Sequence, residues 1–279
     1  MSCYVSVSTA AYDGYGFDKI LPSLARCGVR HVEFAFIDGY VEAFTDSDFT
    51  EDFAKELKSE MQRHGQETRY FSGHIDLGGE DAPARLEARC RFAALLGASF
   101  VITNAATCDR GDVFFRQADT LAAIARQYGV RILLENPGNR VPNVLDHAGD
   151  VPGLLERLDC DAFGINYDVG NLLSHCPGRE PLSDARKAMS IADHFHLKPC
   201  VRTVDGIDFV AFGEGNVDDV IVTTELLGQG KPFSLELPFR LHRDGDAQPW
   251  RDEQPLPLEV IESRVSRSLE ELTLLTKNA

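Results

Sequence analysis

Long apolar runs are missing from this sequence. No segment of its 279 residues approaches the ~20 consecutive apolar positions that a membrane helix needs. The amino terminus enters a predicted strand with no basic stretch followed by an apolar one, so no leader is expected and a cytoplasmic location is. Paired cysteines are missing as well. Cys3, Cys27, Cys90, Cys108, Cys160, Cys176 and Cys200 are odd in number and scattered without a CxxC spacing, which fits reduced core thiols and argues against a disulfide framework. Basic residues are scarce, 28 against 44 acidic ones for a net charge of −16, and they form no cluster. Nucleic acid and membrane surfaces are therefore not expected partners. Low-complexity segments and breaks in composition, which would mark a linker, are absent too, so residues 1–279 read as one domain.

What is present is a core-forming composition, 43% hydrophobic, arranged in a repeating unit. Predicted strands at Cys3–Ser8, Val29–Phe34, Thr68–His74, Ser99–Asn104, Val130–Glu135, Ala162–Asp168, Ala192–Lys198 and Pro232–Glu236 alternate with predicted helices. The helices are placed at Phe17–Cys27, Thr50–His64, Ala82–Leu96, Val113–Tyr128, Val144–Leu158, Leu182–Ser190, Val217–Leu227 and Leu258–Thr276. Gly28, Gly65, Gly97 and Gly129 stop the first four where the next strand begins. Eight such units without a Gly-rich first turn predict an α/β fold, a single-domain (β/α)8 TIM barrel, rather than an open doubly wound sheet.

Four of the strands end in polar residues, and one sets the pattern. The run Ile132-Leu133-Leu134 ends in Glu135, and Pro137 and Gly138 forbid regular continuation. A carboxylate at the end of a core strand needs pairing, hydrogen bonds or a metal. Asp168, His196 and Glu236 end the sixth, seventh and eighth strands in the same way. In a barrel the carboxyl ends of strands form the active-site face, so Glu135, Asp168, His196 and Glu236 are expected to converge. This hard, oxygen-rich set with one imidazole suits one divalent ion, Mn²⁺ or Mg²⁺ first, then Co²⁺ or Zn²⁺. His194 shares a strand face with His196 but lies further from the carboxyl end, and is read as a packing or supporting residue. On the same face Glu33 and Asn104 end strands two and four as polar walls of a pocket. Lys198, two residues on and so on the same strand face as His196, can hold a substrate oxygen or carboxylate.

The motifs Gly28-Val-Arg-His-Val-Glu33, Leu133-Leu-Glu-Asn136, Asp168-Val-Gly-Asn171, His194-Phe-His-Leu-Lys198, Gly213-Glu-Gly215 and Leu235-Glu-Leu237, in this order and spacing, resemble the xylose isomerase-like barrels. That family includes sugar isomerases, ketose 3-epimerases, inosose dehydratases and the endonuclease IV group. The resemblance implies one divalent ion on the residues at Glu135, Asp168, His196 and Glu236. It also implies a sugar-like small-molecule substrate, with Glu135 and Glu236 as the acid/base pair working through an enediolate. Return of the proton to the opposite face gives epimerisation, and return to the neighbouring carbon gives aldose–ketose isomerisation. His74 and Arg202 resemble substrate-contacting residues of the family. Pro199 replaces an acidic residue that often follows the lysine in relatives. A homodimer or homotetramer is left open.

The loop Pro238–Pro257 carries Arg240, His242, Arg243, Trp250 and Arg251, and is long enough to be read as a cover for the pocket or a subunit contact. Phe36, Tyr40 and Phe44 are read as an aromatic wall for a sugar or as cover for the barrel mouth. Three rival functions are weighed. Endonuclease IV chemistry would need histidines where Asn104 and Asn171 stand and an Asp-x-His where Asp205-Gly206-Ile207 stands, and it meets the charge of −16. A dehydratase acting on a keto-polyol or cyclic acid would use the same ligands and the same proton abstraction. A non-catalytic binding barrel would have no need of two convergent glutamates.

Overall fold

The computed structural model describes residues 3–41, 44–215 and 217–278. In chain order the strands are β1 Val5–Ser8, β2 Val32–Ala35, β3 Tyr70–Ser72, β4 Phe100–Asn104, β5 Arg131–Glu135, β6 Phe163–Asp168, β7 His194–Leu197, β8 Cys200–Arg202, β9 Gly206–Phe209, β10 Phe233–Leu235, β11 Leu241–Asp244 and β12 Pro249–Arg251. The helices are α1 Phe17–Arg26, α2 Glu51–Arg63, α3 Ala82–Leu96, α4 Gly111–Gln127, α5 Val151–Leu158, α6 Val169–His175, α7 Pro181–Ala188, α8 Val217–Gln229 and α9 Leu258–Asn278. Eight parallel strands close into a barrel in the order β1-β10-β7-β6-β5-β4-β3-β2. The helix stops behave as expected, Gly97 capping α3 with φ +103°, a conformation open to glycine at little cost.

Alternation along the strands divides the side chains into two populations. Ile132 and Leu134 of β5, Ile165 and Tyr167 of β6 and Phe195 and Leu197 of β7 pack in the large core shared with the helices. The intervening positions fill the barrel. At one level Tyr70, Ile102 and Leu133 form a small apolar cluster. Above it the interior turns polar, with Glu33, Ser72, Asn166, His194 and Ser234 all buried. Register then sets partners side by side. Glu135 pairs with Asn166, Asp168 with His196, and Ser234 with His196.

Two corrections concern segments that lie beyond the barrel strands. The loop 238–257 is not irregular: β11 and β12 form a hairpin that joins β9 and β8 in a four-stranded antiparallel sheet of order β12-β11-β9-β8. Its arginines tie this sheet to neighbouring segments. Arg243 is buried and donates to the Tyr40 hydroxyl at 2.9 Å, while Arg240 and Arg251 lie 3.3 and 3.2 Å from Asp13. Trp250, about half exposed, stacks on His242 at 4.2 Å. The second correction is α6, a seven-residue helix that begins directly after β6, with Asp168 as its cap: the Asp168 carboxylate accepts from the Asn171 amide at 2.8 Å.

Near the start of α8, Asp219 is 5% exposed and its Oδ2 accepts no hydrogen bond among the described residues. Burial, and then the charges of Asp218 and Asp168, push its carboxyl up to about 7 from 3.8. An acid whose folded value is raised stabilises the fold fully below its unfolded value, and the contribution is lost as pH rises through the folded value. Asp219→Asn is therefore expected to match the parent below about pH 4 and to exceed it by up to roughly 3–4 kcal/mol above about pH 8. Urea midpoints at the two pH values check this, and an Asn variant no more stable at the higher pH contradicts it.

Candidate metal centre

The four strand-end residues meet. One ligand atom from each of Glu135, Asp168, His196 and Glu236 lies within 4.8 Å of the others, and all four side chains are buried. The His196 Nδ1 is 3.0 Å from Glu135 Oε2 and 3.2 Å from Glu236 Oε2. Lys198 places its Nζ 2.7 Å from both Asp168 Oδ2 and Glu236 Oε2. Gly170, in the first turn of α6, makes this approach possible: a Cβ there would lie 2.5 Å from the Lys198 carbonyl oxygen and 2.8 Å from its Cβ.

Around this cluster the hydrogen bonds are directional. Glu135 accepts from Asn166 and, at 3.1 Å, from Asn171 Nδ2. Asn136 Oδ1 accepts from the Asp168 amide and its Nδ2 donates to the Asp168 carbonyl, so the ends of β5 and β6 are stapled together. Burial disfavours every charge here, yet partners outweigh it at four residues, Glu135, Glu236, His196 and Lys198. His196 and His74 hold the Glu135 carboxyl well below the usual range, and Lys198 and His196 hold Glu236 down at about 2. Glu33, Glu135 and Glu236 raise His196 well above the usual imidazole value. At Asp168 burial wins, reinforced by Glu135 and Glu236 against Lys198, and its carboxyl rises to about 6.

The residues fit a divalent cation. His196 Nδ1, Asp168 Oδ2 and Glu236 Oε2 are buried and meet only charged groups of the same cluster, the Lys198 ammonium lying 2.7 Å from the two carboxylates. Three buried ligand atoms that converge and are paired only with charged groups of their own cluster form a set that a cation can bridge. Charge points the same way. Glu33, Glu135, Asp168 and Glu236 bring four carboxylates against the Lys198 ammonium and one imidazole, an excess of negative charge that a divalent ion would reduce. A second convergent group, Glu33 with His194 and His196, is engaged by Ser72, Asn166 and Ser234.

A cavity of about 410 Å³ opens over the cluster, lined by Tyr40, His74, Asn104, Glu135, Lys198 and Glu236 among others. Asp168 and His196 lie beneath it. His74, two residues past β3, places Nε2 3.4 Å from Glu135 Oε2. Two expected wall residues are elsewhere. Glu33 is fully buried inside the barrel below His196, because β2 continues to Ala35 and Glu33 is within the strand, not at its end. Arg202 is exposed on β8 and donates to the Leu173 carbonyl at 3.3 Å, because the chain leaves the barrel at Pro199 and carries it away. Phe36 and Phe44 are also displaced from the ligand set. They line a separate cavity of about 500 Å³ with Phe17 and Phe53, which contains none of the four ligands. Asn171, which holds Glu135 and Lys198, was readable only as part of its motif.

No curated protein matches the sequence. Among solved structures, a xylose isomerase domain protein from Planctomyces limnophilus superposes with TM-score 0.71 at 16% identity, covering 99% of this chain and 97% of that one. A D-psicose 3-epimerase with D-tagatose from Clostridium cellulolyticum H10 gives 0.70 at 14%, covering 99% of each chain. A probable 3-DHS dehydratase, AsbF, from Bacillus anthracis gives 0.68 at 16%, covering 97% and 98%. These likenesses establish the fold, and residues 21–255 match the family described as xylose isomerase-like TIM barrel. The chain belongs to that family.

Proposed function

We infer that this protein is a divalent-metal-dependent isomerase or epimerase of a sugar or sugar-derived ketone. The observation that carries the reading is the convergence of two ionised glutamates, Glu135 and Glu236, with Asp168 and His196 on the floor of one cavity. A divalent ion held by these four residues would supply Lewis-acid polarisation of a carbonyl and its neighbouring hydroxyl, acidifying the hydrogen on the carbon that bears that hydroxyl. One glutamate takes that proton and the other returns one, to the opposite face for epimerisation or to the adjacent carbon for isomerisation. His74, Asn104 and Lys198 are placed to orient the hydroxyls.

Charge at the mouth favours a neutral substrate over its phosphate. Asp38, Asp76, Glu135 and Glu236 line the cavity, and its two basic residues are committed, Arg85 to Asp46 at 2.8 Å and Lys198 to Asp168 and Glu236. A dehydratase would begin with the same abstraction but would then need a proton for the departing hydroxyl. Lys198 supplies one poorly: burial disfavours its charge, but Asp168 and Glu236 raise its value far above the ordinary lysine range.

The test is incubation with Mn²⁺ in D₂O against free ketoses, ketose phosphates and keto-inositols. The expected result is deuterium beside the carbonyl of a free ketose, with an epimer or aldose as product. Loss of water from a substrate would transfer the protein to the dehydratases, and no exchange into any of the panel would sink the proton-transfer reading.

A further inference from the structure

Beneath the ligand set a ring of hydrogen bonds runs through the barrel interior. Asn166 joins Glu135 to His194, His194 meets Ser234 at 3.2 Å, Ser234 donates to Glu33, and Glu33 lies against His196. His196, 3.0 Å from Glu135, closes the ring. Glu33 is the anchor of the far side. It is fully buried, it does not line the cavity, and its carboxylate is fixed by Ser72 Oγ at 2.8 Å and Ser234 Oγ at 2.5 Å. Its two oxygens are 3.0 and 3.1 Å from His196 Nε2.

We propose that Glu33 is a positioning residue that holds the His196 ring and its Nε2 proton so that Nδ1 is the nitrogen offered to the ligand set. A carboxylate at Nε2 keeps a ring proton there, so the nitrogen that can give its lone pair to a bound ion is Nδ1, the atom that faces Glu135 and Glu236. Glu33 also prevents the ring from turning over, since a flipped imidazole would set the Cε1 carbon, in place of Nε2–H, against a buried anion. His194, two residues earlier on the same strand face, is not available for this role because Asn166 and Ser234 occupy both of its nitrogens. So one of two adjacent histidines is committed to the cavity, and the polar layer below it makes the choice.

The inference rests on the metal reading of the site and is tested by binding, not turnover. Calorimetric titration with Mn²⁺ compares the parent with Glu33→Ala and Glu33→Gln, alongside circular dichroism and melting of each without added metal. The Ala variant is expected to bind roughly 10- to 100-fold more weakly. The Gln variant, whose amide oxygen still accepts from Nε2–H, is expected to recover most of that loss. Long-range proton–nitrogen NMR of the Zn²⁺-loaded parent, which needs no variant to fold, is expected to show the His196 proton on Nε2. Unchanged Mn²⁺ affinity in Glu33→Ala, or the ring proton on Nδ1, overturns the inference while leaving the metal reading intact. A parent chain that binds no ion overturns both.

Discussion

Glu236→Gln is expected to lower deuterium exchange and turnover by roughly 10³- to 10⁴-fold, at saturating substrate and metal. Glu236 is almost completely buried, lies at the end of a barrel strand, and is held ionised at neutral pH by Lys198 and His196 against the penalty of burial. Glutamine keeps the shape and an oxygen, so packing should survive. It removes the negative charge and the ability to accept a proton from carbon. The loss should fall on kcat, because an interaction made only as the proton moves does not stabilise the bound ground state. A variant that binds the ion and exchanges within about tenfold of the parent would exclude Glu236 as the base.

The second large effect concerns Lys198. Its ammonium is 2% exposed and 2.7 Å from two carboxylates, so Lys198→Met leaves Asp168 buried without its ion-pair partner and Glu236 with His196 alone. Breaking a buried pair from one side costs about 3–5 kcal/mol, which corresponds to a melting temperature lower by roughly 10 °C in a chain of this size. The sign reverses once a divalent ion is supplied. The variant's extra negative charge favours the cation, so added Mn²⁺ should raise its melting temperature by more than it raises that of the parent. Scanning calorimetry with and without Mn²⁺ reads both. A variant as stable as the parent without metal, or one that gains less from the ion, contradicts this charge assignment.

Much of this was legible in the sequence, for identifiable reasons. Helix-stopping glycines ahead of apolar runs mark the barrel strands because chain reversal after a helix and burial of a parallel strand both leave compositional traces. A carboxylate directly after Ile132-Leu133-Leu134 is conspicuous because burying a charge is costly. What escaped is what depends on a shift of one or two residues. Glu33 looked like a strand end, but β2 runs through Ala35 and register carries the side chain down into the barrel. The antiparallel sheet was hidden because its strands have three or four residues and mix charges with apolar positions, although Asp205-Gly206 and Asp244-Gly245 are hairpin signals at its turns. That sheet is also why Arg202 points away and why Arg243 is structural. Lys198 was placed on the correct face, but its pairing with Asp168 depends on the turn of α6 at Gly170, which strand periodicity does not encode.

The central claim is that Glu135, Asp168, His196 and Glu236 hold one divalent ion on which proton transfer depends. Elemental analysis of the purified protein, dialysed against chelator and then reloaded with Mn²⁺, tests it most directly when deuterium exchange is followed on the same samples. One ion per chain is expected after reloading and none in His196→Ala, with exchange that disappears with the chelator and returns with the metal. A reloaded parent with no stoichiometric ion, or exchange indifferent to its removal, would contradict the account.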